Sequence, residues 1–452
     1  MDGKPLIPAG PDEQEDRLVV PGLDPAASDP FTVFRAGRLP GWALVRHQFD
    51  ATEVGDVDAA VEAAFATSGD AIRAGQRVCL GIGSRGIDRI AEVARAAVRA
   101  VRARGGEPFC IPAMGSHGGA TAEGQLEVLA SLGVTPESIG CEIRSSMETD
   151  QIGQVDGSIP VFFDHHALTE ADVVIPINRV KPHTDFSGPV ESGLLKMIAI
   201  GFGKQRGADT FHRQGFAAFA ELIPAVGQYS LGHVNIPFGL ALVENGYSRL
   251  RRIEAVPAAA IWDRERELRD EADGALARLP VAIVDVLILD RIGKDVSGLG
   301  MDSNVVGRYY TGPTGRGPTI QRIIVRDLTE QTEGNAVGLG MADIALRRAV
   351  EQMDAGRTYM NCITAKTPEG ARIPLTVDTD RAALDLALAC CIKVEPATAR
   401  IVRILDTKHL EWLYVSEALL PEVLAQGGST VVAGPAPIGF DARDAFSDEL
   451  PG

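Results

Sequence analysis

Residues 77–114, RVCLGIGSRGIDRIAEVARAAVRAVRARGGEPFCIPAM, decide the fold prediction. The opening RVCLGI is an apolar run that ends in a Gly-rich turn, which is typical of a buried strand. IAEVARAAVRAVRARGG then spaces its apolar residues as an amphipathic helix does and stops at glycine. EPFCIPAM predicts a second strand. Because strand–helix–strand crossovers are nearly always right-handed, the stretch predicts two parallel strands of one sheet.

The chain that follows extends the same alternation. AEGQLEVLASLG resumes helical spacing up to another glycine, and DVVIPINRV predicts a third buried strand. We therefore expect an α/β fold whose N-terminal domain holds a parallel, Rossmann-like sheet with helices on both faces. In such sheets the loops at the carboxyl ends of the strands converge on one crevice, so functional residues are sought there.

A change of pattern near residue 278 predicts a domain boundary. The highly charged helix WDRERELRDEADGALARLP is long enough to cross between domains, and the apolar run VAIVDVLILDRIG begins after it. A chain of 452 residues exceeds what one core usually serves. We expect a mobile arm over 1–30, an N-terminal domain over 31–278 and a smaller C-terminal α/β domain over 279–452. The predicted elements of the last are helices MADIALRRAVEQM and RAALDLALACCI and strands TIQRIIVRD and ARIVRIL.

Composition and charge narrow the classes of partner. Hydrophobic residues make up 45% and charged residues 23%, as in ordinary globular proteins. The formal net charge of -17 repels phosphate backbones, which argues against nucleic acid or an anionic membrane surface as a partner. The start lacks a leader pattern and no run of about 18 apolar residues occurs, so we expect a cytoplasmic protein.

The six cysteines show no CxxC spacing, and several lie inside apolar runs. We interpret most of them as reduced core residues. A zinc site built on thiolates is therefore not expected, and a metal would depend on histidine, carboxylate or a ligand that a cofactor brings.

Two of the eight histidines follow predicted strand ends. His117 lies in GSHGG and His183 in KPHTDF, so both are expected to face the same crevice. An imidazole that titrates near neutrality can accept and donate a proton, as a general acid/base must. The alternative is that the backbone satisfies each of them at its strand end. The other histidines are interpreted as structural or solvated: His47, His165, His166, His233 and His409.

Gly-rich turns precede two predicted helices. In GSHGGAT, Gly118 and Gly119 allow backbone N–H groups to point outward at a helix N-terminus, where a phosphate is favoured. GIGSRGI is similar and adds Ser84 and the cation Arg85. The phosphate signal is weak because glycine pairs before helices are common turn elements, and neither turn is a dinucleotide fingerprint.

Lys196 and His212 are the remaining chemical candidates. Lys196 lies in the apolar LLKMIAI, where desolvation favours the nucleophilic free amine, although a lysine snorkelling from a helix has the same pattern. His212 follows a glycine-containing segment and is a candidate metal ligand. One histidine alone is a poor metal site, so other donors have to come from elsewhere.

Taken in order, GSRGI, PAMGSHGGAT, NRVKPHTDFSG, ESGLLKM, GADTFH and SGLGMDSNVVGR resemble the motifs of the lactate racemase family, the nickel-pincer nucleotide enzymes. The matching pieces span about residues 80 to 310. The resemblance implies two α/β domains with the active site in the cleft between them. It also implies a pyridinium mononucleotide whose two sulfur-bearing arms and one ring carbon hold nickel together with one protein histidine.

The resemblance assigns roles by motif position. His212 is similar to the nickel ligand and Lys196 to the lysine that forms a thioamide with the cofactor. His117 and His183 resemble the two acid/base histidines, and Arg85 resembles the arginine that contacts the substrate carboxylate. Cofactor contacts are then expected from Ser84, Arg85, Gly118 and Gly119, and loading requires cofactor-biosynthesis enzymes as partners.

The implied reaction is inversion at C2 of a 2-hydroxy acid. In the family's scheme one histidine takes the hydroxyl proton while hydride passes to the cofactor, and the opposite histidine serves the other enantiomer. Lys181 is close enough in sequence to contribute a further cation to the substrate carboxylate. Asp302, Asn304 and Arg308 stand where the family's lactate enzymes offer other residues, and their polarity suggests a substrate larger or more polar than lactate.

Two other functions stay open from the residues alone. Lys196 with nearby histidines also suits a Schiff-base enzyme, which borohydride would trap without any metal. A non-catalytic nucleotide-binding or cofactor-carrying protein can use the same fold.

Overall fold

The computed structural model describes residues 31–84, 86–310 and 315–451. The predicted arm over 1–30 and the predicted substrate contact Arg85 lie outside them. In chain order the strands are β1 Gly41–His47, β2 Arg77–Ile82, β3 Glu107–Pro112, β4 Thr149–Val155, β5 Ile159–Asp164, β6 Val173–Arg179, β7 Phe238–Glu244, β8 Leu250–Pro257, β9 Ile283–Leu289, β10 Thr319–Val325, β11 Ile344–Leu346, β12 Leu375–Val377, β13 Ile401–Ile404, β14 Trp412–Ser416 and β15 Ser429–Pro437.

The α-helices are α1 Val57–Thr67, α2 Ile90–Ala103, α3 Ala122–Ser131, α4 Pro136–Ile139, α5 His165–Thr169, α6 Leu194–Lys196, α7 Lys204–Gln214, α8 Phe219–Leu231, α9 Ile261–Ala275, α10 Ser303–Val306, α11 Arg347–Glu351, α12 Ala355–Ala365, α13 Asp380–Cys390 and α14 Leu420–Ala425. A π-helical segment, Met197–Gly201, continues α6 directly.

The first sheet has the strand order β3-β2-β6-β7-β8. Strands β3, β2, β6 and β7 run parallel, and β8 returns antiparallel to β7. The predicted strands at 77, 107 and 172 therefore lie side by side in one parallel sheet, which confirms the α/β fold class. These strands are apolar throughout because successive side chains point to opposite faces of the sheet and helices cover both faces. Val78 and Leu80 face α1 and α2, whereas Cys79 faces α8 and the π-helical segment.

The second sheet has the order β12-β11-β10-β9-β13-β14-β1-β15. Strands β12, β11, β10, β9 and β13 are parallel, and β14, β1 and β15 are antiparallel to their neighbours. We call each sheet with the helices on it the first unit and the second unit. Segment 41–47, which the sequence placed in the N-terminal domain, lies in the second sheet because β1 pairs with both β14 and β15.

The predicted helix MADIALRRAVEQM is wrong in its first half. Ile344, Ala345 and Leu346 are fully buried and extended as β11, between β10 and β12. The helix begins only at Arg347, where polar side chains resume. A short apolar run buried on both faces has no period that separates strand from helix, and tertiary pairing made it a strand.

Helix α9, the charged helix predicted near the boundary, lies on the first unit. Ile261, Leu268 and Ala272 are buried in the core that covers β7, while most of its charged side chains form surface ion pairs. All six cysteines have free thiols, four of them buried. Among the helices of the described ranges, none has both the length and the apolar character to cross a membrane.

Candidate active site

The carboxyl ends of β3, β2 and β6 meet at one edge of the first sheet. Strand β2 lies between the other two, and neighbouring strands are about 4.8 Å apart, so the ends of β3 and β6 are about 10 Å apart. The segment after β2 carries Ser84, the segment after β3 carries His117, and the segment after β6 carries His183. The topology thus brings both predicted acid/base histidines to the same edge.

His117 is oriented by a side chain from the neighbouring strand end. Ser84 Oγ lies within hydrogen-bond distance of His117 Nδ1. The loop backbone is also held, because Nε2 of the fully buried Gln125 donates to the carbonyls of Gly115 at 2.8 Å and of His117 at 3.4 Å. The sequence had predicted Ser84 as a cofactor contact, which stays a prediction, and the structure adds its hydrogen bond to His117.

Gln125 is in turn held by a buried cation that the sequence analysis missed. Lys204, at the start of α7, is fully buried, donates to Gln125 Oε1 at 3.1 Å and bonds the carbonyl of Pro112. Its Nζ lies 3.2 Å from Asp164 Oδ2. Burial lowers the pKa of Lys204, and the negative charge of Asp164 opposes that shift. A lone lysine in IGFGKQRG carries no sequence signal for such a role.

His183 is 8% exposed and has a defined ring environment. The backbone N–H of Asp185 donates to Nδ1 at 3.0 Å, and Asp185 Oδ2 lies 3.6 Å from the same nitrogen. An amide N–H can only donate, so Nδ1 is an acceptor here and the proton of the neutral ring is on Nε2. The ring contacts Phe186, with centroids 4.5 Å apart.

Lys196 and His212 lie near each other in the first unit. Lys196 ends α6 where the helix passes into its π-helical segment, a geometry that is frequent at functional sites. His212 lies in the last turn of α7, with its ring against Phe216 and Phe219. Burial lowers the pKa of His212, and the positive charges of Lys196 and Lys366 lower it further. The imidazole is therefore neutral at neutral pH.

Nδ1 of His212 is buried and makes no hydrogen bond to any described residue. Within the same residues, no group of three or more His, Cys, Asp and Glu side chains is arranged to hold a metal ion. A neutral imidazole can ligate a metal, but this one is a single donor. A metal at His212 therefore needs its other donors from a bound molecule.

Glycines Gly118 and Gly119 form the turn after His117. Both have φ near +65°, and a Cβ on Gly118 would lie 2.5 Å from the carbonyl carbon of Gly124. Glycine is thus required by the turn. A surface depression of about 520 Å³ adjoins both, but Glu123 and Glu127 also line it, and two carboxylates oppose a phosphate there.

The second unit reaches the His183 segment through α10. Asn304 Nδ2 donates to the carbonyl of His183 at 3.1 Å, and Ser303 Oγ bonds the carbonyl of Thr184. Asp302 caps α10 and lies 3.9 Å from Lys181 Nζ. Asp302, Asn304 and Lys181 thus lie at or beside the His183 segment, and their predicted contact with a substrate stays a prediction.

Arg308 is turned away from this segment. Its guanidinium donates to the carbonyl of Met341 and to Asp343 Oδ2, both at 2.7 Å, and so ties the start of β11 to its own loop. In the structure the guanidinium of Arg308 is held by hydrogen bonds inside the second unit, whereas the sequence had predicted that it contacts the substrate.

Two further residues of the second unit were not predicted. Lys366, at the C-terminal end of α12, is exposed and acts electrostatically on His212. The hydroxyl of Tyr310 is buried without a hydrogen-bond partner in the described structure. Burial raises the pKa of Tyr310, and the neighbouring Cys362 and Asp185 raise it further.

Comparison with known proteins gives a distant structural likeness. No protein-family model matches the chain, and no curated protein is significantly similar to it in sequence. Among solved structures, the lactate racemase apoprotein from Thermoanaerobacterium thermosaccharolyticum is similar over 83% of this chain and 85% of that chain. The sequence identity is 12% and the TM-score 0.43.

Proposed function

We propose that the chain is a racemase or epimerase that inverts C2 of a 2-hydroxy acid with a nickel-pincer nucleotide. The observation that carries the proposal is the pair of oriented imidazoles, His117 and His183, at one edge of one sheet. Inverting a secondary alcohol in both directions requires a proton acceptor for each enantiomer, and two imidazoles meet that need.

The residues present fit the cofactor. His212 has a neutral ring and a lowered pKa, and Lys196 lies close enough to influence it. A metal held by one protein nitrogen and by donors of a bound nucleotide is consistent with a single buried imidazole. When bound, the cofactor supplies a hydride acceptor and donor for C2, with His212 as the metal ligand and Lys196 as the attachment residue.

The chain's own residues handle the hydroxyl proton. Ser84 holds His117 at Nδ1, which reserves Nε2 for proton transfer. Asp185 offers His183 Nδ1 a backbone donor at 3.0 Å and a carboxylate oxygen at 3.6 Å. The first suits the neutral ring whose proton is on Nε2. The second suits a ring protonated at Nδ1, which is the state both of the base, with Nε2 free, and of the imidazolium acid.

Substrate binding is proposed for cations near the cleft. Arg85 and Lys181 remain the proposed carboxylate contacts, and Lys366 adds a cation from the second unit. Tyr310 offers a buried hydroxyl, which a polar substituent of the substrate would satisfy. These groups favour a 2-hydroxy acid larger or more polar than lactate. The other proposed partners are the enzymes that make and load the cofactor, in the cytoplasm.

The test is co-expression with the cofactor-making enzymes, followed by nickel analysis and a C2 inversion assay over a panel of 2-hydroxy acids. His212→Ala is expected to lose nickel. His117→Ala and His183→Ala are expected to retain nickel and lose turnover. Full nickel loading without inversion of any panel member would contradict the proposed reaction and favour a cofactor carrier.

A labelled substrate separates hydride transfer from proton abstraction. Substrate deuterated at C2 should keep its label through inversion in ordinary water, since hydride does not exchange with solvent. Loss of the label would point to a carbanion route. A Schiff-base enzyme would instead form a borohydride-trapped adduct at Lys196 without nickel, which Lys196→Arg would abolish.

A further inference from the structure

Glu191 is a fully buried carboxylate that holds the backbone of His183. Its side chain is 0% exposed, and Oε2 accepts the N–H of His183 at 2.7 Å. The N–H of Gly188 donates to Oε1 at 3.3 Å. Burying a charged carboxylate costs free energy unless cations and hydrogen-bond donors compensate it. The partners of Glu191 therefore matter to the stability of this segment.

The two cations on Glu191 come from opposite units. Arg269 of α9, in the first unit, donates to Oε1 at 3.1 Å. Arg316, which precedes β10 in the second unit, donates to Oε2 at 3.0 Å and to Oε1 at 2.8 Å. This bidentate pair is the stronger and more directional of the two. Arg316 also lies 3.1 Å from Asp273 of α9.

The carbonyl side of the same peptide also depends on the second unit. Asn304 Nδ2 donates to the carbonyl of His183, and Ser303 Oγ bonds the next carbonyl, that of Thr184. Both donors lie on α10. The N–H of His183 is therefore fixed through a carboxylate that Arg316 clamps, and its carbonyl is fixed by Asn304.

We propose that Glu191 and Arg316 form a latch that couples closure of the two units to the placement of His183. Both are positioning residues. When the units close, Arg316 compensates the buried carboxylate, Glu191 holds the His183 N–H, and α10 holds its carbonyl. When the units separate, the carboxylate loses its bidentate partner, water enters, and the His183 segment loosens. The role of this coupling in catalysis rests on the proposed function, whereas the latch itself does not.

The test compares Arg316→Gln with Arg269→Gln in the full chain, without nickel or substrate. Each variant removes one cation from the same carboxylate, but only Arg316 crosses between units. In Arg316→Gln we expect amides of residues 181–190 to exchange hydrogen roughly tenfold faster, as loss of a charged hydrogen bond predicts, and the radius of gyration to rise. Arg269→Gln is expected to leave the radius of gyration unchanged.

Asn304→Ala is the second variant, since it removes a contact between units without unpairing a buried charge. It should also speed exchange of the His183 segment. Unchanged exchange and scattering in Arg316→Gln would overturn the latch, as would equal opening in Arg269→Gln. Because no turnover is measured, these outcomes leave the proposed racemase activity standing, and a failed inversion assay leaves the latch standing.

Discussion

Asp185 presents both a donor and an acceptor to one nitrogen of His183: its N–H is 3.0 Å and its Oδ2 3.6 Å from Nδ1. The same residue can therefore accompany either tautomer of the neutral ring. A histidine that exchanges its proton at Nε2 stays protonated at Nδ1, and the carboxylate oxygen of Asp185 is the partner for that state.

Asp185→Asn tests this arrangement. The variant keeps the backbone N–H but loses the charge that stabilises a protonated ring, so turnover should fall about a hundredfold in both directions, as loss of acid/base function does. Steady-state kinetics with each enantiomer measures the effect. Nickel content and thermal unfolding serve as controls and should stay at the parent's values. Unchanged turnover would show that the carboxylate plays no part.

Ser84→Ala should misorient His117 without removing it. Loss of one side-chain hydrogen bond costs about 1 kcal/mol, so kcat is expected to fall about fivefold with little change in KM. Ser84→Thr keeps the hydroxyl and should recover most of the activity. If both variants retain full kcat, the bond to Nδ1 has no role in proton transfer.

Glu265 makes stability depend on pH. Burial raises its pKa from 4.5 to about 7, although the amides of Leu195 and Leu194 at the start of α6 oppose that shift. The folded state therefore holds the proton more tightly than the unfolded chain. The contribution of Glu265 to the free energy of unfolding is fully present below pH 4.5 and falls as the pH rises from 4.5 through 7. The total fall is about 3 kcal/mol.

Glu265→Gln should remove that slope between pH 4.5 and 7. Urea unfolding of the parent and the variant at several pH values measures it. Glu267→Gln, on the exposed side of the same helix, is the control and should keep the parent's slope. If the stability of Glu265→Gln still falls with rising pH as steeply as that of the parent, the slope comes from other titrating groups.

Lys204→Met should destabilise the protein by about 3–5 kcal/mol, because it leaves the buried carboxylate of Asp164 uncompensated. The double variant with Asp164→Asn should recover much of that loss, as a double-mutant cycle would record. Equal losses in the single and double variants would mean that the two charges do not compensate each other.

Gly118→Ala and Gly119→Ala form a matched pair. Both positions have positive φ, but a methyl group at Gly118 meets the backbone of Gly124, whereas at Gly119 it meets nothing within 4 Å. Gly119→Ala should cost about 1 kcal/mol from backbone conformation alone. Gly118→Ala should cost distinctly more and displace the His117 loop. Thermal unfolding compares them, and equal losses would refute the steric argument.

Sequence patterns predicted the local parts of this fold well. The strands β2, β3 and β6, the helix α2 and the convergence of His117 and His183 on one sheet edge all follow from apolar periodicity and the handedness of crossovers. The strands and the helix could be predicted because each rests on residues close in the chain, and the convergence follows from the handedness of the crossovers. Segment 344–346 could not, since its burial on both faces depends on β10 and β12.

The sequence by itself determined the strand ends, the turns that need glycine and the residue types gathered there. Only the tertiary structure decided which distant parts of the chain meet. Strand β1 joins the second sheet. Among polar side chains, Arg308 pairs with Asp343, Lys204 lies beneath the His117 loop, and Arg316 pairs with Glu191. The physical reason is distance along the chain. Periodicity reports which face of an element is apolar, whereas a buried ion pair is set by the approach of two surfaces.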